Sequence, residues 1–222
     1  MTEILIKPKF NIKKNIDFTY FSKINQLPVI SNQIKKIQVV YSNKNFCLGD
    51  LFDVQIKISK LNKKKIRLKN SNIFFDNVGY NWENDILILE GDTGSFLGSK
   101  MKSGKILVTG SCLDFLGCEM TGGEIQLKGN AQNYLGSSFP GNKIGMNGGF
   151  INVQGSAGNY VGNSMRRGVI LIEKNVGDFC GSDLIAGTIL VNKNIGKNFC
   201  IGMKRGTLIL LQETQIKNKI FF

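Results

Sequence analysis

Between Asp85 and Leu210 the chain repeats itself every 19 residues, a period that a stack of like coils keeps and an ordinary globular fold does not. The units close on Gly104, Gly123, Gly149, Gly168, Gly187 and Gly206. Their spacings are 19, 26, 19, 19 and 19, so one unit carries seven extra residues. After each closing glycine come two apolar residues with one residue between them: Ile106/Val108, Ile125/Leu127, Ile151/Val153, Ile170/Ile172, Ile189/Val191 and Leu208/Leu210. Leu87/Leu89 fill the same slots one unit earlier. Such alternation puts the pair on one face of a short strand.

Further columns keep the register. Three residues on stand Asp92, Ser111, Asn130, Ser156, Asn175 and Asn194, small hydrogen-bonding residues suited to a corner and able to stack as a ladder. An aromatic column follows (Phe96, Phe115, Tyr134, Tyr160, Phe179), broken at Asn198. Next come Leu97, Leu116, Leu135, Val161, Cys180 and Phe199, then Gly98, Gly117, Gly136, Gly162 and Gly181, broken at Cys200. Last are Met101, Met120, Met146, Met165, Leu184 and Met203. Glycine recurs where the chain turns, and apolar residues recur where side chains point inward. Nineteen residues at roughly 3.3 Å each give a contour of about 60 Å, one circuit around a flattened core. The expected fold is all-β: a right-handed parallel β-helix with 19-residue coils, one seven-residue insertion and a small strand-containing N-terminal region. A leucine-rich repeat is disfavoured because the return side is broken by glycine, and a β-sandwich would not hold the period. The Met and aromatic columns are read as solenoid core rather than a cofactor stripe.

The expected domains are residues 1–65, a cap without the repeat, and residues 66–222, the β-helix. Residues 66–84 read as a degenerate first coil, since Val78-Gly79 lies 19 residues before Leu97-Gly98. Lys63-Lys64-Lys65 reads as a solvated turn, and the tail from Gln215 as a cap or docking strand. The formal charge is +13 and uneven: residues 1–80 hold 15 Lys/Arg against 5 Asp/Glu, the rest 14 against 11. The excess fits a patch for an anionic partner or a general Lys/Asn/Ile-rich composition, and no nucleic-acid module accompanies it.

There is no His in the chain, which removes imidazole acid–base catalysis, His-paired nucleophiles and imidazole metal sites. No apolar run is long enough to span a membrane, and the start lacks a signal-peptide pattern. A soluble, cytoplasmic protein is expected. The five cysteines (Cys47, Cys112, Cys118, Cys180, Cys200) form no CxxC and fall in different columns, so reduced, mostly buried thiols are expected and no metal site. The acids Glu90, Glu119, Glu124, Glu173 and Asp183 are scattered. Glu90 and Glu173 share a column, as do Asp114 and Asp178, but coils apart, too far to address one bond. No catalytic and no cofactor-binding residues are expected. The irregularity is the insertion Phe139-Pro-Gly-Asn-Lys-Ile-Gly145. Insertions in solenoids form loops on one face, for binding or as tolerated surface. Phe139, Pro140, Gly141, Asn142 and Lys143, with Arg166 and Arg167 one coil later, are the candidate partner interface.

The units at 129–136, 155–168 and 176–191 look like the GxGxG β-helix. Together with the insertion and Leu48-Gly-Asp-Leu-Phe-Asp-Val54, they are similar to the β-helix subunit of formylmethanofuran dehydrogenase. They look closest to its bacterial relative, the β-helix subunit of the formyltransferase/hydrolase complex of methylotrophs. The C-terminal domain of the glutamate synthase large subunit shares the repeat. The resemblance implies a non-catalytic scaffold on which an amidohydrolase subunit with zinc docks, beside a formyltransferase subunit. It implies formyl transfer from formyl-tetrahydromethanopterin to a methylofuran-type carrier. It also implies polyglutamyl carrier tails, for which the basic surface would be a second binding role. The alternatives are a glutamate-synthase-like structural subunit and a stand-alone β-helix acting on an anionic polysaccharide.

Overall fold

Polar corners and buried apolar pairs together turn each repeat into one coil. The computed structural model describes residues 1–58 and 63–212. Before the repeat lie β1 (Thr2–Pro8), β2 (Ile16–Asp17), a 3-10 turn (Phe21–Asn25), α1 (Ser31–Lys35), β3 (Gln38–Tyr41) and β4 (Lys44–Cys47). They are followed by α2 (Leu48–Leu51) and β5 (Phe52–Lys57). The coils then supply β6 (Lys64–Ser71), β7 (Phe75–Asp76), β8 (Ile86–Gly91), β9 (Lys105–Val108) and β10 (Glu124–Leu127). Beyond the insertion come β11 (Asn147–Val153), β12 (Arg167–Ile172), β13 (Thr188–Val191) and β14 (Thr207–Leu210). The main sheet has ten strands in the order β14-β13-β12-β11-β10-β9-β8-β6-β1-β5. From β1 through β14 its neighbours are parallel, and β5 closes the edge antiparallel to β1. The chain is a parallel β-solenoid.

Register is set by stacking like on like. Ile106, Ile125, Ile151, Ile170, Ile189 and Leu208 are partners across successive strands. Of these, every isoleucine is fully buried. Burying such a side chain stabilises by about 1.5–3 kcal/mol, so the stack, not the single coil, holds the fold. The glycine column packs against this core. A Cβ on Gly117 would sit 2.4 Å from Ile151 Cδ1, and its φ of +63° is a left-handed conformation. The Leu/Val/Cys column and the Met column are also buried, up to Cys180 and Leu184.

The small polar corner residues form the expected ladder. Backbone N–H groups of Ser111, Asn130, Ser156, Asn175 and Asn194 each donate to the side-chain oxygen of the residue one coil earlier, over 2.7–3.3 Å. A second ladder is not visible from composition. It runs through Asp114, Asn133, Asn159, Asp178 and Lys197, with N···O distances of 2.7–2.9 Å. A further inward column, Thr93, Cys112, Ala131, Ala157, Val176 and Ile195, is joined by parallel bridges.

Two expectations are corrected. The aromatic column is not core: Phe96, Phe115, Tyr134, Tyr160 and Phe179 are half-buried on the outside. Their backbones sit at φ of 59–63°, so the period-2 alternation fails there and each ring points out while the next residue points in. Lys63-Lys64-Lys65 is not a solvated turn: Lys64 opens β6. Its ammonium donates to the carbonyls of Ile24, Asn25 and Leu27 at 2.7–2.9 Å. Burial lowers its pKa, with Asp85 opposing.

At the first coil the N-terminal segment closes the stack. Trp82 is fully buried and stacks on Phe21 at 6.1 Å, and Phe18 packs between Phe21, Phe52 and Phe75. Leu48-Gly-Asp-Leu-Phe forms α2 and the start of β5, with Leu48, Leu51 and Phe52 buried and Asp50 accepting from the Cys47 N–H. The sequence reading of the tail from Gln215 lies outside the described residues.

Candidate interaction surface

The insertion is anchored, not loose. Phe139-Pro140-Gly141-Asn142 makes a turn in which the Asn142 N–H donates to the Phe139 carbonyl at 2.9 Å. Proline at the second position and Gly141 at φ +87° suit a type II turn, which needs a left-handed third residue. No atom lies within 4 Å of a Cβ on Gly141, so conformation alone accounts for this glycine. Glu119, one coil earlier, accepts from the Phe139 N–H at 3.1 Å and from Asn142 Nδ2 at 2.6 Å. The Phe139 ring stacks on Phe96 with centroids 5.6 Å apart, and Lys100 Nζ stands 5.2 Å from the Phe139 ring. The loop therefore folds back over earlier coils. The Gly145 N–H then donates to Ser164 and the Met146 N–H to Gly136, which restores the register.

Pro140, Gly141, Asn142 and Lys143 are exposed at its tip, and Phe139 is half-buried. Ile144 is 40% exposed and absent from the sequence-based candidates; an apolar residue between Lys143 and Gly145 was the available signal. Arg166 and Arg167 are exposed, and both their backbone N–H groups donate to the Met146 carbonyl at 2.8 and 3.2 Å. They therefore lie in the coil directly beside the insertion's exit.

The aromatic ladder offers edges rather than faces. Its rings stack at 4.8–5.0 Å with interplanar angles of 4–8°. Apart from the outer face of Phe179, ring faces are consumed by neighbouring rings, so the ladder ties coils together.

Several of the acids are spent on structure. Glu90 and Glu3 both hold Arg67, and the hydrogen bond to Glu90 raises the guanidinium pKa further. Glu124 pairs with Lys105 at 2.9 Å, and Asp114 and Asp178 each accept a backbone N–H of the next coil. Among the described residues no group of three or more His, Cys, Asp or Glu converges to hold a metal. Cys112, Cys118, Cys180 and Cys200 are buried free thiols and Cys47 is half-buried. Burial pushes the Cys118 thiol up to about 12, and those of Cys112, Cys180 and Cys200 are likewise raised. None of these four is poised as a nucleophile. No helix among the described residues is long and apolar enough to cross a membrane.

The glycine-cornered stack of like coils defines the class, a parallel β-solenoid of the glycine-repeat type. The model of the GXGXG motif family matches residues 74–220, and the chain belongs to that family. It is similar to a chain in the X-ray crystal structure of the formyltransferase/hydrolase complex (FhcABCD) from Methylorubrum extorquens in complex with methylofuran. That match has a TM-score of 0.82 and 30% identity, and covers 93% of this chain and 76% of the other. No curated protein matches the sequence.

Proposed function

We propose that this protein is the non-catalytic β-helix scaffold of a formyltransferase/hydrolase complex, and that the amidohydrolase subunit docks on it. The observation that carries this is the structural match over 93% of the chain at 30% identity, which includes the N-terminal segment as well as the repeat. A bare GXGXG repeat would support a glutamate-synthase-like module equally well. The chemistry fits the same reading: Glu3, Glu90, Glu124, Asp114 and Asp178 are engaged in ion pairs and ladders. On this reading zinc and the reacting groups belong to the partner subunits, in the cytoplasm. A methylofuran-type carrier and tetrahydromethanopterin serve the complex rather than this chain. The insertion residues Phe139, Pro140, Gly141, Asn142 and Lys143, with Arg166 and Arg167, are proposed as part of the contact surface. The basic N-terminal segment is proposed to attract an anionic carrier tail, in which case carrier affinity falls as salt rises.

The test is purification of the tagged, full-length protein from its own host. Recovery with an amidohydrolase and a formyltransferase in fixed ratio is expected. Recovery with amidotransferase and flavin subunits, or alone, overturns the proposal.

A further inference from the structure

The main sheet has an outer face, and its character changes along the stack. On β6–β10 that face mixes Ile86, Ile88 and Leu107 with Arg67 held between Glu3 and Glu90, the Lys105–Glu124 pair and Gln126 bonded to Glu124. From β11 onward apolar residues hold most of the outward positions, Phe150, Val169, Leu171, Leu190 and Ile209, with Asn152, Thr188 and Thr207 between them. Phe150 pairs with Val169, Leu171 with Leu190, and Leu190 with Ile209. All are partly exposed while Ile151, Ile170 and Ile189 beside them are buried, so the strands show which side each faces. Ile209 is 37% and Leu211 57% exposed. The inward core does not need these side chains, and water gains nothing from them. Single exposed apolar residues are ordinary, but a patch across four adjacent strands marks an interaction surface.

The rim of the patch says what covers it. Arg166, Arg167, Lys204 and Arg205 are exposed on the side where the chain enters the strands, and Lys174 and Lys193 on the side where it leaves. None of them takes part in an ion pair among the described residues. Among the described residues Glu173 is the one acid at these strand ends. Two copies meeting through this face would set like charges against each other, which opposes self-association. An apolar surface rimmed with carboxylates would match it in both respects.

We infer that the outer face of β11–β14 is the docking face for a partner subunit whose own apolar surface is rimmed by Asp and Glu. The inference rests on the proposed scaffold role and names the surface that performs it. Arg166 and Arg167 belong to the rim, which joins this face to the insertion through Met146.

The experiment compares tagged full-length wild type with two double variants, Leu171→Glu/Leu190→Glu and Arg167→Glu/Arg205→Glu, each purified from the native host. Lys128→Glu, outside the patch, is the control. Thermal melting confirms that each variant is folded. Wild type and control are expected to recover the hydrolase and transferase subunits, and both double variants to recover at least tenfold less. Unchanged recovery by folded double variants overturns the docking face and leaves the scaffold role standing. A different identified, stoichiometric partner that both variants lose keeps the face and removes the assignment to formyl transfer. Wild type found alone, or as a self-associated species that the leucine variant disperses, overturns both. If residues 213–222 are the occupant, the leucine variant and deletion of 213–222 lower the melting temperature equally and partner recovery does not change, which also overturns the inference.

Discussion

Phe139 stacks on Phe96 at 5.6 Å and 15°, so the insertion is tied to a ring two coils back. Phe139→Ala removes that contact and exposes the loop. A loss of about 1 kcal/mol is expected, since aromatic pairs contribute roughly 0.5–1.5 kcal/mol. The measurable sign is faster proteolysis at 140–144 with the far-UV spectrum unchanged. Glu119→Ala, which removes the acceptor for the Phe139 N–H and Asn142, gives the same proteolytic phenotype. A loop cleaved no faster in either variant would show that these contacts do not anchor it.

The aromatic ladder predicts a dependence on position. Tyr134 has rings on both faces, Phe115 and Tyr160, whereas Phe179 has Tyr160 alone. Asparagine tolerates the left-handed backbone that both residues adopt. Tyr134→Asn should therefore cost about 1–3 kcal/mol and Phe179→Asn about half of that. Chemical denaturation of the two variants decides it. Equal losses would mean that the rings act singly and not as a stack.

Two glycines separate packing from conformation. Gly117→Ala meets Ile151 Cδ1 at 2.4 Å and also holds φ +63°, so steric and backbone costs add to about 2–5 kcal/mol. Gly141→Ala meets no atom and loses only backbone freedom, about 1–2 kcal/mol. Melting temperatures in that order are expected. The reverse order would contradict the close approach of Ile151.

The thiols predict an alkaline limit. Cys118 is pushed by burial from 9.0 to about 12, so at pH 9 about one such thiol in a thousand is ionised in the folded state. Cys112, Cys180 and Cys200 are raised for the same reason. The sign follows: below pH 9 both states keep the protons, and above it the unfolded chain releases them while the folded chain does not. Stability then falls by up to about 1.4 kcal/mol per pH unit for each such thiol. Native thiol titration at pH 8 should count at most the half-buried Cys47, and all five cysteines after denaturation. Rapid reaction of a second native thiol would refute the burial.

Much of this was legible in the residues. The closing glycines, the Ile/Val and Leu pairs, the Met column and the Asp92-to-Asn194 corner ladder follow from like residues at a fixed spacing. What the reading missed shares a physical cause. In the left-handed backbone at Phe96 through Phe179 the side chains no longer alternate, so in and out cannot be counted along the chain. The column Thr93, Cys112, Ala131, Ala157, Val176, Ile195 escaped because its members share a place but no chemistry. Lys64 passed for solvated because its carbonyl partners, Ile24, Asn25 and Leu27, lie far back in the chain.

The period by itself determined the coil, its register and the residues that fill most of its interior, because stacked coils put the same slot of every repeat in the same environment. Only the tertiary structure decided which aromatic faces are spent on neighbours, where the insertion lies down, and which outward apolar residues of β11–β14 come side by side. Those depend on contacts between coils, and a repeat that places every coil alike carries no signal for where the coils differ.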